Sequence, residues 1–249
     1  MISSFIAHGL TETDLVAESV MQILAGGETP ATGFRSTLLF IITNPRVYAT
    51  LQKEIDNALK TDGMISRPVV KDREWRQLEY LQAVVREGLR LCPPVTGLLS
   101  KVSPAGGDEF VVDGERVFIP GGTNIGWACC GMYRDKAVFG EDAELYRPER
   151  WLEEQNQDKL ERMRKVVDLN FGYGKYYCLG RQVALSEMHK GVFEVRNELK
   201  NSRDTSKRTE LIRRVVVPEL RSRDCKSCEA MEEPKLGVMD TEGDVGKSH

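Results

Sequence analysis

The sequence lacks the features of several protein classes. No apolar run reaches the roughly 20 residues that a membrane-spanning helix requires, and residues 1–8 lack the basic start and long apolar core of a secretory signal. Charge of one sign is not in excess either. With 35 lysines and arginines against 38 aspartates and glutamates, nothing in the composition points to nucleic acid as a partner.

Cysteine is sparse, and its six positions give no disulfide framework, which favours a reducing compartment. Cys225 and Cys228 form a lone C-x-x-C pair that could be half of a zinc site or a redox pair. No second pair and no histidine lies near it in the sequence, and its surroundings are charged. These features argue against a functional role for the pair. The other cysteines are Cys92, Cys129, Cys130 and Cys178.

Helical periodicity is what the sequence does contain. Apolar residues at helical spacing predict helices over residues 11–44, 45–61 and 74–91, and a further helix directly after Cys178. A capping pair of Thr and Asp starts the first of them. His189, beside a lysine on the last helix, is predicted to lie at the surface rather than to bind a ligand.

Two other patterns complete the expected fold. Residues 110–120 predict two short strands around an Asp-Gly turn, and residues 121–127 predict a turn followed by a strand. The fold class is therefore mainly α with a small antiparallel β-sheet, in a chain of 249 residues that is long enough to bury a core. Residues 201–249 are charged and poor in aromatics, which predicts a disordered tail, with a short strand possible at 211–217.

The middle of the first long helix is unusual. Residues 25–30, AGGETP, place two glycines and a proline inside the helical pattern. Glycine costs about 1 kcal/mol there and proline about 3, so we expect a kink or an opening at Pro30. The segment is either a tolerated flaw in a core helix or a functional opening flanked by Glu28 and Thr29.

An aromatic-glycine loop, residues 171–180, contains a single cysteine, Cys178, and a helix follows it. At a helix start the unpaired backbone N–H groups and the helix dipole favour an anion such as a thiolate. The loop is either a surface turn with an inert cysteine or a holder for one soft axial ligand to an iron. Its glycines would let the backbone approach a flat cofactor.

Glu87 and Arg90 lie three apart on one helix face. As an exposed pair they would contribute little to stability and indicate nothing about function. A buried pair would need further partners, because an unpaired buried carboxylate is costly.

These motifs, in this order, resemble the cytochrome P450 haem-thiolate family. The carriers of the resemblance are the distal Ala-Gly-Gly-Glu-Thr segment, the Glu-x-x-Arg pair, the Pro-Glu-Arg-Trp segment and the Phe-Gly-x-Gly-x-x-x-Cys-x-Gly loop. The amino-acid sequence of these segments is most similar to that of fungal members such as pisatin demethylase. The resemblance covers the C-terminal half of that fold, so the chain is similar to a truncated member: residues 1–200 would be a partial haem domain and residues 201–249 its tail.

The resemblance implies a role for each motif. Cys178 would be the axial ligand of the iron of haem b, and Glu28 and Thr29 would deliver protons to bound dioxygen. Glu87, Arg90 and Arg150 would form a buried network that locks the loop under the haem. The implied cofactor contacts are Ala25, Gly26, Phe171, Gly172, Gly174, Tyr176 and Gly180. The implied substrate contacts are Val95, Thr96, Leu98 and Leu99, which could equally be ordinary core residues.

Two positions depart from the family pattern. Tyr176 stands two before the cysteine, where a basic residue usually binds a haem propionate; Lys175 is a candidate substitute. Pro30 replaces a hydroxyl residue, which would alter the proton path.

The function that the resemblance implies is that of a haem-thiolate monooxygenase. It would hydroxylate or demethylate a small apolar molecule in fungal secondary metabolism, using O2 and electrons from NADPH through a reductase. Lys175, Arg181 and Lys190 would form the basic face that docks the reductase. The family implies the surface of the endoplasmic reticulum, although this chain shows no anchor. The alternatives are a non-catalytic remnant that binds haem weakly or not at all, and a haem-thiolate isomerase or peroxygenase that needs no reductase.

Overall fold

A computed structural model describes residues 2–201 except Leu98 and Asp113. The predicted tail, its possible strand, Cys225 and Cys228 lie outside the described residues. The part of the chain that is described is mainly helical, as the sequence predicted. Its α-helices are α1 (Ile2–Ala7), α2 (Glu12–Thr43), α3 (Pro45–Lys60), α4 (Asp72–Trp75), α5 (Glu79–Leu91), α6 (Cys129–Met132), α7 (Lys136–Phe139), α8 (Arg150–Glu153), α9 (Gln157–Asp168) and α10 (Arg181–Asn201).

The strands form two separate antiparallel pairs rather than one sheet. β2 (Asp108–Val112) and β3 (Glu115–Ile119) make the hairpin that the Asp-Gly turn predicted. β1 (Lys101–Val102) pairs with β4 (Asn124–Ile125), so a two-residue ladder closes a loop of the chain around the hairpin. The expected small antiparallel component is confirmed, and it is divided in two.

Helix α2 is the longest element. Thr11 accepts a hydrogen bond from the backbone of Asp14, whose carboxylate accepts one in return from the Thr11 backbone, so the predicted capping start is present. The expected opening at Pro30 does not interrupt the helix, which runs through that position to Thr43. Tertiary contacts in its second half outweigh the local penalty: Leu38 and Ile41 are buried there.

Two hydrophobic clusters support the helices. The larger one joins the second half of α2 to α3, α5 and α10, and the smaller one joins α5 to α7, α8 and α9. Helix α5 contributes to both, which explains why ten of its thirteen residues are buried. The larger cluster includes Leu38, Ile41, Leu51, Ile55, Leu81, Val85, Met188, Val192 and Phe193; the smaller includes Ala83, Val138, Phe139, Trp151, Leu160, Met163 and Val167.

The prediction of one helix over residues 74–91 was wrong. The structure has the short helix α4 and then α5, separated by residues 76–78. Leu78 precedes α5 with an extended backbone, and the carboxylate of Glu54 accepts hydrogen bonds from the N–H groups of Tyr80 and Leu81. A side chain from α3 therefore caps the start of α5, and such a long-range partner leaves no signal in the local periodicity.

Gly88 allows α5 to approach α2 closely. A Cβ placed there would lie 2.2 Å from Oγ1 of Thr37, a fully buried side chain whose hydroxyl donates to the Gly33 carbonyl. We expect Gly88→Ala to lower the free energy of unfolding by about 1–3 kcal/mol through overpacking. Gly27→Ala is the matched control, because nothing lies within 4 Å of its added Cβ and alanine favours a helix interior by about 1 kcal/mol. Urea unfolding of both variants tests the contrast, and equal destabilisation would contradict it.

The prediction that His189 lies at the surface was wrong. Its side chain is 5% exposed, and its ring stacks on that of Trp75 with centroids 4.1 Å apart. Nδ1 donates to the Leu185 carbonyl at 2.5 Å. Burial, with smaller contributions from Arg86 and Arg76, lowers the pKa of His189 from 6.5 to about 4. Trp75 is separated from His189 by more than a hundred residues, so the sequence gives no local signal for this contact.

The buried imidazole makes stability depend on pH. Because its pKa is lower in the folded chain, the unfolded chain binds more protons between about pH 4 and 6.5. The stability contribution is complete above pH 6.5, and about 3 kcal/mol is lost as the pH falls to about 4. We expect His189→Phe, which keeps the aromatic stack, to flatten this part of the curve of unfolding free energy against pH. A curve as steep as that of the unsubstituted chain would contradict the assignment; His8→Phe, at an exposed position, is the control.

Candidate cofactor site

The cysteine loop is held in shape by its own backbone. The N–H of Cys178 donates to the Phe171 carbonyl at 2.7 Å, which closes the loop on itself. Helix α10 begins at Arg181, so the thiol lies three residues before the helix start, as the sequence predicted. Cys178 is an exposed, free cysteine. A thiol in this position is available to a ligand above the loop.

A cleft of about 420 Å³ brings the cysteine loop and the long helix together. Cys178, Phe171, Gly172 and Tyr176 line it from the loop, and Ala25, Thr29 and Pro30 line it from α2. Most of the remaining wall is apolar. Two segments 150 residues apart in the sequence, each predicted to contact one cofactor, therefore face the same space. The other lining residues are Leu89, Pro94, Val95, Leu99, Lys101, Trp127, Asn170, Tyr173, Ala184 and Met188.

The α2 side of the cleft presents a hydroxyl rather than a carboxylate. Thr29 Oγ1 donates to the Ala25 carbonyl at 2.8 Å, so its oxygen lone pairs stay available as acceptors. Glu28 is exposed and does not line the cleft. Gly26 faces a neighbouring cavity of about 260 Å³ between α2 and α10. Of the expected contacts on this helix, Ala25 and Thr29 are the two that reach the cleft.

The glycines of the cysteine loop allow the tight turns of its backbone. Gly172 has a φ of +73°, and an added Cβ would lie 2.6 Å from the Tyr176 carbonyl oxygen. Gly174 also has a positive φ, of +60°. A Cβ at Gly180 would be 3.8 Å from Cys178 Sγ, an ordinary contact. Gly174 and Gly180 belong to the loop but do not line the cleft.

Lys101 is a residue that the sequence reasoning missed. It is the single charged side chain among the described residues that line the cleft, and its Nζ lies 3.8 Å from the ring centroid of Tyr176. Lys175, the basic substitute that the sequence suggested, is 5.0 Å from the same ring and is exposed. The β1–β4 pairing positions Lys101 opposite Ile125, and this long-range contact is what brings it beside the loop.

The expected substrate contacts divide into two groups. Val95 and Leu99 line the cleft, and Leu99 has a positive φ of +47°, which is uncommon for a leucine. Thr96 is exposed and does not line the cleft. Leu98 lies outside the described residues. The segment after Pro94 therefore does border the cleft, through the first and last of the four candidates.

Glu87, Arg90 and Arg150 form a fully buried ion cluster. Arg90 binds the carboxylate of Glu87 through two nitrogens, at 3.0 and 2.8 Å, and Arg150 Nε donates to it at 2.9 Å. The Trp151 indole and the Arg147 backbone N–H supply two further donors at 2.9 and 3.1 Å. Each carboxylate oxygen therefore accepts at least two hydrogen bonds, as a buried carboxylate requires.

The cluster joins α5 to the segment 133–151 rather than to the cysteine loop. The remaining guanidinium nitrogens of Arg90 and Arg150 donate to backbone carbonyls of that segment, including those of Ala143 and Leu145. The cysteine loop is attached to α5 separately, by a 3.1 Å hydrogen bond from Asn170 to the Leu89 carbonyl. The cluster and the cysteine loop are therefore attached to α5 separately, and a role of the cluster in locking the loop under a cofactor stays a prediction.

The comparisons with known proteins decide the family. The sequence profile described as Cytochrome P450 matches residues 4–225. The chain belongs to the cytochrome P450 family. It is 45% identical over 195 residues to the cytochrome P450 monooxygenase ABA1 of Pyricularia oryzae (strain 70-15), 44% identical to aba1 of Botryotinia fuckeliana, and 34% identical over 186 residues to pisatin demethylase of Fusarium vanettenii. The predicted resemblance, including the fungal relatives, is confirmed.

The cytochrome P450 chain described here is shorter than these relatives. The three alignments cover 78%, 78% and 75% of this chain, but 37%, 37% and 34% of the relatives. The chain thus spans little more than a third of the length of the relatives that it matches. Within the described range, no helix combines the length and apolar character needed to cross a bilayer.

Membership of the cytochrome P450 family implies haem, and the donor set of the cleft fits it. Cys178 offers one soft sulfur ligand, and the described residues contain no group of three His, Cys, Asp or Glu side chains that could hold a metal ion. A single protein ligand suits an iron that a macrocycle already holds on four sides. The apolar walls of the cleft suit a flat, largely apolar group.

The three basic residues expected on the proximal face differ in their surroundings. Arg181 pairs with Asp168 at 2.9 Å, Lys175 is exposed beside Tyr176, and Lys190 is half-buried on α10. Arg181 is thus partly neutralised within the chain, whereas Lys175 is free to meet an acidic partner.

Proposed function

We propose that this cytochrome P450 chain represents a haem-thiolate monooxygenase that inserts one atom of O2 into a small apolar molecule. The observation that carries the proposal is that Cys178 and Thr29, which lie 149 residues apart in the sequence, line one apolar cleft. Hydroxylation or demethylation in fungal secondary metabolism is the finer proposal. The fungal relatives support it, because one of them is named as a demethylase.

Cys178 is the residue that would hold the iron of the haem. When bound, haem supplies the oxygen-activating redox chemistry, which a thiolate ligand promotes by electron donation. The chain's own contribution is to orient the cofactor and the substrate and to exclude water from the cleft. Ala25, Phe171 and Gly172 line the cleft where they would border the cofactor, and Val95 and Leu99 line it where they would border the substrate. Lys101 and the Tyr176 hydroxyl are the polar groups of the cleft suited to the cofactor's acidic edge.

Thr29 and Glu28 divide the proton path between them. Glu28, at the exposed surface of α2, exchanges protons with water. Thr29, inside the cleft, donates its hydroxyl hydrogen to the Ala25 carbonyl and keeps its oxygen as an acceptor, so it would pass a proton on when that hydrogen turns from the carbonyl to the cleft. Pro30 also lines the cleft, where it offers no N–H and no hydroxyl, so Thr29 supplies the one side-chain hydroxyl that α2 brings to the cleft.

Electrons would come from NADPH through a reductase that docks near Lys175 on the exposed side of the loop. Association with the surface of the endoplasmic reticulum belongs to the same proposal. The reaction then needs the apolar substrate, O2, two electrons and two protons, and it releases one oxygen atom as water. The test is incorporation of a single ¹⁸O atom from ¹⁸O₂ into an apolar compound by the haem-loaded chain, dependent on NADPH and reductase. No incorporation by a chain that has bound haem would contradict the proposal.

A second candidate is a non-catalytic chain that binds haem weakly or not at all. The observation that favours it is an exposed apolar stripe on the first half of α2, where Ile23 is 74% exposed. In a working enzyme such a surface is expected to be covered. Haem uptake separates the two candidates, because the second predicts none or little. The stripe consists of Val16, Val20, Met21, Ile23 and Leu24.

Thr29 gives the sharpest test of the proton path. We expect Thr29→Ala to lower product formed per NADPH oxidised by roughly a hundredfold, the scale of a lost proton donor, with the electrons diverted to hydrogen peroxide. Thr29→Ser keeps the hydroxyl and should retain most of the coupling. Peroxide and product are measured side by side on the haem-loaded chain. Equal coupling in the alanine and serine variants would contradict the role.

A further inference from the structure

A second, smaller cavity lies beside the cysteine loop, which contributes Phe171 to its wall. It has a volume of about 160 Å³ and is walled by α4, α5, α9, the loop and the start of α10. Three arginines, Arg76, Arg86 and Arg181, line it against one carboxylate, that of Asp168. The cavity is therefore strongly basic, and it is distinct from the cleft that holds Cys178.

Arg86 is the least compensated of these cations. Among the described residues it has no hydrogen bond or ion pair, and its guanidinium lies 5.4 Å from the ring centroid of Trp151. Burial lowers the pKa of Arg86, and the nearby Arg164 and Arg181 add to this effect. Asp168 raises the pKa of Arg86 and offsets this lowering in part, and the cavity offers one carboxylate for three guanidinium groups, so positive charge is in excess there.

The other cations leave donors available as well. Arg181 binds Asp168 through one nitrogen, but its Nε is buried with no hydrogen-bond partner within the described residues. Arg76 is shared between Asp72, at 2.7 Å, and the side-chain oxygen of Gln182, at 3.5 Å. Arg181 and Gln182 are also the first two residues of α10, a helix of 21 residues whose positive end adds to the field.

We propose that this cavity binds one small oxyanion, a phosphate or carboxylate group held by Arg86 and Arg181. The volume exceeds that of a single water and accommodates such a group. Guanidinium groups recognise these anions through paired, charge-assisted hydrogen bonds. The anion neutralises Arg86 and engages the free Nε of Arg181. The site needs no haem, so it stands or falls independently of the proposed monooxygenase.

The experiment uses the two histidines of the described residues as reporters. His189 lines the cavity, whereas His8 is exposed on the far N-terminal segment. The full chain is labelled at histidine, and its imidazole NMR signals are followed at fixed pH and ionic strength while inorganic phosphate replaces chloride. We expect the His189 signal, assigned with a His189→Asn variant, to move and saturate, and that of His8 to stay. Acetate, in a parallel titration, represents a carboxylate ligand.

Two variants make the test specific. Arg86→Gln should weaken phosphate binding by roughly tenfold to a hundredfold, the effect of one charged hydrogen-bond partner, while keeping the fold, since it removes an uncompensated charge. Arg116→Gln, on the exposed β2–β3 hairpin, should bind as the unsubstituted chain does. Should Arg86→Gln lose its circular-dichroism signature of folding, Arg181→Gln replaces it.

The outcomes distinguish a phosphate ligand from a carboxylate ligand. Tighter binding of phosphate identifies a phosphate-bearing ligand, and tighter binding of acetate identifies a carboxylate such as a protein side chain would supply; both support the site. A His189 signal that shifts with neither anion, or that shifts equally in Arg86→Gln and Arg116→Gln, would overturn the proposal.

Discussion

Cys178→Ala is expected to abolish the red-shifted Soret band that the reduced, carbon monoxide-treated chain gives when a thiolate holds the iron. The reason is that, among the described residues, Cys178 is the one thiol that lines the cleft, and alanine offers no ligand in its place. We expect haem affinity to fall at least tenfold as well, because the axial bond is lost and the apolar contacts remain. Difference spectra and a haem titration measure both effects.

The matched control is Cys130→Ala. Cys130 is also an exposed, free cysteine, but it lies in α6 and does not line the cleft. Its replacement should leave the Soret band and the haem affinity unchanged. Loss of the band in Cys130→Ala, or its persistence in Cys178→Ala, would show that another cysteine holds the iron.

Glu87→Gln is expected to unfold or strongly destabilise the chain. Glutamine keeps the shape but leaves the buried guanidinium groups of Arg90 and Arg150 without their common anion. Removing one partner of a buried ion pair costs about 3–5 kcal/mol. That loss is comparable with the whole stability of many domains, so the helical circular-dichroism signal should melt at much lower urea concentration or be absent at the start.

The control for this prediction is Glu161→Gln on α9. Glu161 and Lys165 form an ion pair of 2.7 Å with side chains that are 63% and 75% exposed. Water screens such a pair, so the urea midpoint should not change measurably. A similar loss in both variants would mean that the burial of the Glu87 cluster does not matter. A small loss in Glu87→Gln would mean that the cluster does not hold α5 to the segment 133–151.

The elements that the sequence predicted well are those with strong local signals. The periodicity of α2, the capping pair at Thr11 and the Asp-Gly hairpin all depend on residues close together in the chain. The cysteine loop was recognisable because its glycines and its single thiol have a fixed spacing. Cys178 and Thr29 were also predicted to share a site. That prediction depended on the resemblance of their motifs to a known family and not on the distance between them in the sequence.

The features that the sequence did not reveal depend on long-range partners. Glu54 caps α5 from another helix, Trp75 buries His189, and β4 places Lys101 beside the cleft. In each case the local pattern was compatible with an ordinary surface residue. Glu28 shows the converse: its neighbour Thr29 faces the cleft, yet one step along a helix turns a side chain by about 100°, which takes Glu28 out of the cleft wall.

The most direct test of the central claim is X-ray absorption spectroscopy at the iron of the haem-loaded chain. The proposal predicts one sulfur in the first coordination shell, lost in Cys178→Ala and retained in Cys130→Ala. A shell of nitrogen and oxygen alone in the unsubstituted chain, with haem bound in the cleft, would contradict the assignment of Cys178 as the ligand.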